Sequence, residues 1–243
     1  MPVMTVGTGR ALIPTGINYN DLVMGTQPIA YWPQSESSGL VARCLTNPAM
    51  NGTYTGVTLA NDNTGPFGTP APFFDGANDY VNVQTAALAA AFNGNAGTLA
   101  SWCKVNSGAV WTDGSARYPF YGVVVAGASY FQINKVDPNA MRWRYQAGFV
   151  LETVTDWAVT LTSWMHVALT WDKAADEVKA YLNGTQDGVT QNGLGVWGAN
   201  LLTTTLIGAT SMVPANAWHG WLGPCAIWNR ALAPAEIASL YVT

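Results

Sequence analysis

Alternation of hydrophobic and polar residues is clearest in residues 164–184, WMHVALTWDKAADEVKAYLNG. Apolar side chains recur at every second position from Met165 to Trp171 and again from Val178 to Leu182, which is the period of a half-buried strand. A stretch rich in Asp, Lys and Ala separates the two runs, and the Asn183-Gly184 pair after the second run adopts positive φ at low cost. The pattern predicts a β-hairpin with a second reversal of the chain after it.

Shorter alternating runs recur along the rest of the chain, whereas helical patterns are scarce. Short helices are predicted only at Asn20–Met24, at the Ala-rich stretch Thr85–Phe92, and from Pro234 to Tyr241, where proline occupies the first helical position. Many short strands together with 25 Gly and 13 Pro are typical of an all-β sandwich. A chain of 243 residues fits one such domain.

Charged residues are few, which bears on the class of partner. They make up 10% of the chain, against about 25% in an average domain. The net charge is -4 and the ten basic residues are scattered, so binding to nucleic acid is not expected. No apolar run is long enough to span a membrane. The three cysteines, Cys44, Cys103 and Cys225, match neither a closed disulfide set nor a zinc motif and are expected to be buried thiols.

Residues 1–18, MPVMTVGTGRALIPTGIN, differ in pattern from the rest of the chain and are predicted to form an extended N-terminal arm. Its apolar residues Val3, Met4, Val6, Leu12 and Ile13 are expected to pack either against the same domain or against a neighbouring subunit. Arg10 interrupts any apolar run that could serve as a signal peptide. We therefore expect synthesis in a cytoplasm without export by the ordinary route.

Four sequence blocks carry a resemblance to a known family. They are the hairpin at residues 164–184, DLVMGTQPIAYWPQSESSG, PFFDGANDYVNV and HGWLGPCAIWNRALAPAEIASLY. Over Asn20 to Tyr241, the blocks resemble the laminin-G-like, concanavalin A-like lectin/glucanase family. The resemblance implies a two-sheet antiparallel jelly-roll sandwich over residues 19–243, with one or two very short helices.

Because the family includes glucanases, glycoside hydrolysis is the first activity to test. It needs two carboxylates about 5 to 10 Å apart. The chain has four glutamates, and none has an Asp or Glu two positions later: Glu36, Glu152, Glu177 and Glu236. Neither histidine, His166 or His219, accompanies a nucleophile motif. We therefore expect that the protein is not an enzyme.

A loop with oxygen ligands is the one candidate metal site. Asp75, Asn78 and Asp79 surround a glycine turn, and such oxygens suit Ca²⁺. The resemblance implies a further acidic ligand on the closing strand, where this chain has Gly223-Pro224. Either the loop holds a structural Ca²⁺, or Asp75 and Asn78 simply form the turn; no other cofactor is expected.

Sugar binding requires an exposed aromatic ring beside neutral hydrogen-bonding groups. The candidates lie in or near less regular segments: Trp111, Tyr118, Trp143 and Trp197. Arg142 and Arg144 should flank Trp143 on the other face of its strand. Each aromatic residue either contacts a sugar or packs in the core.

The N-terminal arm and the family resemblance favour a role in a virion over a role as a free carbohydrate-binding module. The combination of motifs is similar to laminin-G-like proteins of bacteriophages and prophages, which implies a non-enzymatic protein of the virion surface, either a capsid decoration protein or a tail-associated lectin-like domain. Its partners would be other virion proteins or copies of itself in a homo-oligomer, with polysaccharide as a further ligand. The alternative is a free or cell-surface carbohydrate-binding module of a bacterium.

Overall fold

In the part of the chain that a computed structural model describes, sixteen strands form two stacked antiparallel sheets. The described residues are 18–62, 65–125, 128–136, 138–198, 201–213 and 215–241, and of residues 62, 124–125 and 151–157 only the backbone is described. The predicted arm residues Val3, Met4, Val6, Leu12 and Ile13 lie outside the described residues.

The first sheet has the order β14-β13-β12-β7-β16-β5-β4, with β1 paired to β16. Its strands are β1 (Ala30–Trp32), β4 (Thr58–Asp62), β5 (Ala71–Asp75), β7 (Ala96–Val105), β12 (Met165–Asp172), β13 (Glu177–Leu182), β14 (Thr185–Gln191) and β16 (His219–Trp228). The predicted hairpin is β12-β13, with Val167 opposite Leu182 and Asp172 opposite Glu177.

The second sheet has the order β11-β10-β9-β8-β15-β6-β3-β2. Its strands are β2 (Val41–Ala42), β3 (Gly52–Thr55), β6 (Tyr80–Asn82), β8 (Arg117–Val125), β9 (Ser129–Val136), β10 (Ala140–Ala147), β11 (Val150–Ala158) and β15 (Thr204–Ile207). The all-β antiparallel sandwich predicted from the sequence is confirmed.

Three short α-helices occur in the described residues, at the three predicted places. They are α1 (Tyr19–Gly25), α2 (Ala86–Ala91) and α3 (Pro234–Leu240). Two of them begin at side-chain caps, since Asn18 accepts the Asp21 N–H and Thr85 accepts the Leu88 N–H. At α3 the capping position is Ala233, and the Glu236 carboxylate accepts the Ala233 N–H at 2.9 Å, which supplies one of the two bonds of a capping box.

Apolar side chains fill two layers. The main core lies between the sheets and contains the inward residues of each strand, such as Leu99 and Cys103 of β7. The alternate residues Ala100 and Trp102 lie on the outer face of the first sheet, where α1 and α3 cover them. The central part of the first sheet is therefore buried on both faces. The three cysteines are buried free thiols, as expected.

Candidate functional site

Three of the four candidate sugar-contacting aromatics lie in the core, which is the packing alternative that the sequence left open for each of them. Trp111, Trp143 and Trp197 are each at most 1% exposed. Trp143 points inward because it alternates with Arg142 and Arg144 on β10, and the Trp111 indole donates to the Leu161 carbonyl at 2.9 Å.

Trp197 belongs to a segment whose sequence, GVWGAN, suggests an exposed loop. The segment folds back, and its indole ring packs 5.5 Å from the ring of Phe92 and 5.8 Å from that of Tyr145. Gly94 makes room for the ring, since a Cβ there would lie 1.9 Å from it. The ring therefore serves as packing at one end of the sandwich.

Tyr118, the fourth candidate, lies on the outer face of the second sheet. Its ring contacts that of Tyr121 edge to face, with centroids 5.9 Å apart. Both side chains are half-buried, as is Tyr130 on the neighbouring strand β9. In a regular strand Tyr118 and Tyr121 would point to opposite faces, but the register of β8 against β9 shifts between Arg117 and Phe120. This β-bulge places both tyrosines on one surface.

The strand register adds polar side chains to the same surface. Across β9 and β10, Arg142 is opposite Asn134 and Arg144 is opposite Gln132, while Gln132 is also opposite Tyr121 on β8. We call this surface the tyrosine–arginine face, and define it as Tyr118, Tyr121, Tyr130, Gln132, Asn134, Arg142 and Arg144. Sequence analysis found Tyr118 and the two arginines but missed the other members, whose common face depends on the register.

Burial favours the protonated hydroxyl at two tyrosines of this face, Tyr118 and Tyr121. Burial raises the pKa of Tyr118, and the opposing influence of Arg144, of a hydrogen bond with Gln132 and of Arg142 does not cancel it. Burial likewise raises the pKa of Tyr121, with a further rise from Tyr118 and Tyr130. At neutral pH these hydroxyls can therefore donate as well as accept hydrogen bonds.

The polar groups beneath the rings are held in fixed positions. The Gln132 amide donates to Asn134 Oδ1 at 3.1 Å, and the Asn134 amide donates to the Lys135 carbonyl at 3.2 Å. The Nε of Arg144 is buried and has no hydrogen-bond partner. The face thus combines aromatic rings with amide, hydroxyl and guanidinium groups on rigid strands.

Acidic residues are absent from the three strands that form this face. Strands β8, β9 and β10 contain no Asp or Glu, whereas glycoside hydrolysis uses a pair of carboxylates. Asp156 of β11 is the backbone partner of Arg142, but its side chain is not among those described. His166 on the first sheet is fully buried, and burial lowers its pKa to about 3, so it stays neutral at ordinary pH.

The predicted calcium loop is arranged as a turn. Asp75 Oδ1 accepts the Ala77 N–H at 2.7 Å, and Asp79 Oδ2 accepts the Asp75 N–H at 2.8 Å. Asp79 is 3% exposed, and Asn78 is exposed to solvent. Both carboxylates are thus hydrogen-bonded to the backbone of their own loop, as the turn-forming alternative requires.

A guanidinium group lies beside this loop. Arg117 Nη1 donates to the Gly76 carbonyl at 3.2 Å and to the Ala217 carbonyl at 2.8 Å, and His219 is opposite Asp75 on the closing strand β16. Within the described residues no group of three acidic, His or Cys side chains is placed to hold a metal. Since Ca²⁺ takes six to eight oxygens, the residues as arranged do not fit a calcium site.

A family model described as the concanavalin A-like lectin/glucanases superfamily matches residues 74–238, which is more than half of the chain. The chain belongs to the concanavalin A-like lectin/glucanase superfamily. This membership confirms the resemblance on which the jelly-roll prediction rested. No match is found among curated protein sequences.

Solved structures of this superfamily fold include domains of glycan-active enzymes. Domain 4 of AbnA, an extracellular arabinanase from Geobacillus stearothermophilus, is similar over 88% of this chain and 98% of that domain, with a TM-score of 0.62 and 18% identity. Trypanosoma rangeli sialidase is similar over 99% of this chain but 35% of its own, with a TM-score of 0.63 and 15% identity. The concanavalin A-like chain thus spans about a third of the sialidase, and at these identities the similarity extends to fold alone.

None of the helices in the described parts of the chain is long and apolar enough to cross a membrane.

Proposed function

We propose that this chain is a non-enzymatic glycan-binding domain and that the tyrosine–arginine face is its binding surface. The observation that carries the proposal is the convergence of three tyrosines, two amides and two arginines on the outer face of strands β8, β9 and β10. Membership of a lectin/glucanase superfamily supports it, as does a domain of the same fold solved in complex with arabinotriose.

The physical argument rests on the two kinds of surface that a sugar presents. The C–H face of a pyranose or furanose ring packs against an aromatic ring, and its hydroxyls need donors and acceptors at fixed positions. Tyr118 and Tyr121 offer half-buried rings with polar hydroxyl ends, while the buried amides of Gln132 and Asn134 form a hydrogen-bonded layer on the same face of the sheet. Because these residues are on strands of one sheet, little order is lost when a ligand binds.

Replacing Tyr118 by alanine tests this surface. We expect affinity for a bound oligosaccharide to fall about tenfold or more, as for truncation of a central aromatic contact, with little change in the thermal unfolding midpoint. Tyr118→Phe keeps the ring and separates stacking from hydrogen bonding by the hydroxyl. Glycan-array screening and then calorimetric titration measure the effect.

Phe149 provides the matched control, because it is an aromatic residue 77% exposed at the β10-β11 turn and is not a member of the tyrosine–arginine face. Phe149→Ala should leave glycan affinity unchanged. Loss of binding in Phe149→Ala with retention in Tyr118→Ala would place the site elsewhere and contradict the proposal.

The virion role expected from the sequence is part of the same proposal. Its support is the resemblance to phage-encoded laminin-G-like proteins and the apolar segment that precedes Asn18. On this view the domain is displayed on a particle, as a decoration or tail protein, and residues 1–17 attach it to that particle or to further copies of the chain.

Deleting residues 1–17 tests the attachment. Asn18 should be kept, because its side chain caps α1. We expect the shortened protein to remain folded and to retain glycan binding while its oligomeric state, measured by analytical ultracentrifugation, falls to monomer. A sedimentation coefficient that corresponds to the same assembly before and after the deletion would contradict an attachment role.

A further inference from the structure

A row of half-buried aromatic rings crosses the outer face of the first sheet. The register places Trp221 of β16 opposite Phe73 of β5 on one side and opposite Lys104 of β7 on the other. These side chains point outward, since each alternates with a core residue, such as Cys103 beside Lys104. Trp164 directly precedes β12, the next strand of the sheet, and its ring is 6.0 Å from the Lys104 ammonium. The row therefore spans four adjacent strands, which lie about 4.8 Å apart.

Contacts within the row hold the rings in place. The ring centroids of Phe73 and Trp221 are 5.1 Å apart, and the Lys104 ammonium is 4.5 Å from the centroid of the Trp221 ring. The Trp221 indole donates to Asn61 Oδ1 at 3.0 Å. The three aromatic side chains of the row nevertheless keep part of their surface exposed. A ligand would therefore meet rings that are already ordered, which lowers the entropy cost of binding.

A groove of about 270 Å³ continues this surface beside α1. A Cβ on Gly223 would lie 3.3 Å from Pro66 and 3.4 Å from the Trp164 ring, so Trp164 borders the loop that carries Phe67. The half-buried Phe67 ring lines the groove and stacks on that of Tyr19, with centroids 3.8 Å apart. Exposed amide and hydroxyl side chains also line it: Asn18, Asn20, Ser35 and Thr69.

We call this surface the aromatic track and define it as Phe67, Phe73, Trp164 and Trp221. Its chemistry suits neutral sugars, because the C–H faces of sugar rings pack on aromatic side chains while the hydroxyls bond to neutral amide and hydroxyl groups. Among the described residues that line the groove, none is charged, and Lys104 lies over the indole rings. Several rings in succession favour a chain of sugars over a single one.

A protein partner fits the aromatic track less well. The centre of a protein interface is built from large, well-exposed apolar residues. None of the large apolar residues that the described chain exposes most belongs to the track or lines its groove. Half-buried rings beside neutral polar groups are the arrangement that a polysaccharide needs.

We infer that the aromatic track is a second glycan-binding surface, which takes an extended chain of neutral sugars. The track itself does not depend on the tyrosine–arginine face, which lies on the other sheet. One consequence does rest on the proposed function: with both surfaces occupied, a single domain bridges two glycan chains on opposite sides of the sandwich.

The test uses the full chain and four soluble neutral polysaccharides, laminarin, arabinan, glucomannan and dextran, with polygalacturonate as the charged comparison. Affinity gel electrophoresis measures the dissociation constant for each polysaccharide. All measurements are repeated in Tyr118→Ala, which removes the contribution of the tyrosine–arginine face. We expect at least one neutral polysaccharide to retard both the wild type and Tyr118→Ala.

Two variants of the aromatic track then identify the surface. In the Tyr118→Ala background, Phe67→Ala and Trp221→Ala should each weaken binding about tenfold or more, as for truncation of a central aromatic contact. Trp221→Tyr keeps a ring and should retain most of the affinity. Phe149→Ala is the matched control, because it removes an exposed aromatic ring outside the track and should change nothing. The thermal unfolding midpoint checks the fold of each variant.

The outcomes separate the aromatic track from the tyrosine–arginine face. If Phe67→Ala and Trp221→Ala bound every neutral polysaccharide as tightly as their background, or if none of the four retarded the protein, the track would be overturned. Tyr118-dependent binding on a glycan array would still leave the proposed function standing. Binding to polygalacturonate alone would overturn the assignment to neutral sugars. A fall of Phe67→Ala and Trp221→Ala to monomer in analytical ultracentrifugation, without a change in polysaccharide binding, would make the track a contact between copies and also overturn it.

Discussion

Replacing Trp197 by alanine is expected to lower the free energy of unfolding by about 3–5 kcal/mol, the usual cost of removing a fully buried tryptophan. The indole is 1% exposed and packs against the rings of Phe92, Tyr145 and Phe131, the last at 6.1 Å. Because Gly94 has no side chain to fill the space, the cavity would remain largely open. Urea unfolding monitored by circular dichroism measures the loss.

Trp221 supplies the comparison, because its ring is only partly buried and contacts the Lys104 ammonium at 4.5 Å. Trp221→Ala should cost clearly less than Trp197→Ala. If Trp197→Ala instead left the unfolding free energy unchanged and abolished glycan binding, Trp197 would be a ligand contact and its assignment to the core would be wrong.

Replacing Asp113 by asparagine is expected to destabilise the fold by about 1–3 kcal/mol, because the Lys135 ammonium is buried while the carboxylate that pairs with it is partly exposed and screened by solvent. The Lys135 side chain is 0% exposed, and its ammonium donates to Asp113 Oδ1 at 2.8 Å. Arg117 pairs with the other oxygen at 2.7 Å. Without the carboxylate, the buried ammonium would lose its counter-charge, although it would keep its bond to the Ser115 carbonyl.

The ion pair between Asp113 and Lys135 also predicts how the free energy of unfolding depends on pH. Burial alone would raise the pKa of Asp113, but hydrogen bonds from Lys135, the Ser115 N–H and Arg117 outweigh it and lower the pKa. A lowered folded-state pKa contributes stability above the unfolded value of about 3.9, and this contribution is lost as the pH falls through the folded value. Wild-type stability should therefore decline below about pH 4, whereas Asp113→Asn should lack this part of the decline.

A double variant distinguishes a lost counter-charge from a general loss of packing. Adding Lys135→Met to Asp113→Asn removes the isolated ammonium and should recover much of the stability. If the double variant were as unstable as Asp113→Asn, or if Asp113→Asn unfolded at the wild-type denaturant concentration, the counter-charge explanation would fail.

The sequence was most informative where strands alternate strictly or helices carry their own caps. The hairpin β12-β13 and the helix that begins after Thr85 were both predicted, because local pattern determines them. The edge strand β14, TQDGVTQ, was missed because its residues are mostly polar and its pairing with β13 shifts register. Strand β3, GTYT, is too short for its alternation to stand out.

The candidate site was predicted only in part, because it too depends on an irregular strand register. Tyr118 was identified, but the contribution of Tyr121 depends on the bulge between Arg117 and Phe120. Pro119, which cannot donate to a ladder hydrogen bond, is the one local signal of that irregularity. For the tryptophans the sequence left sugar contact and core packing open. Glycine-flanked segments such as GVWGAN look like exposed loops, and sequence does not reveal whether a loop folds back over a core.

The two helices that cover the first sheet determine which side of the domain would face a particle or another protein attached at either end of the chain. The described chain enters through α1 and leaves through α3, and both helices pack on the outer face of the first sheet. The tyrosine–arginine face is on the opposite side of the sandwich, on the second sheet. If the domain binds glycans as proposed, a tether at either end would leave that face directed away from its support, so that copies anchored on one surface would engage a polysaccharide simultaneously and gain avidity from their number.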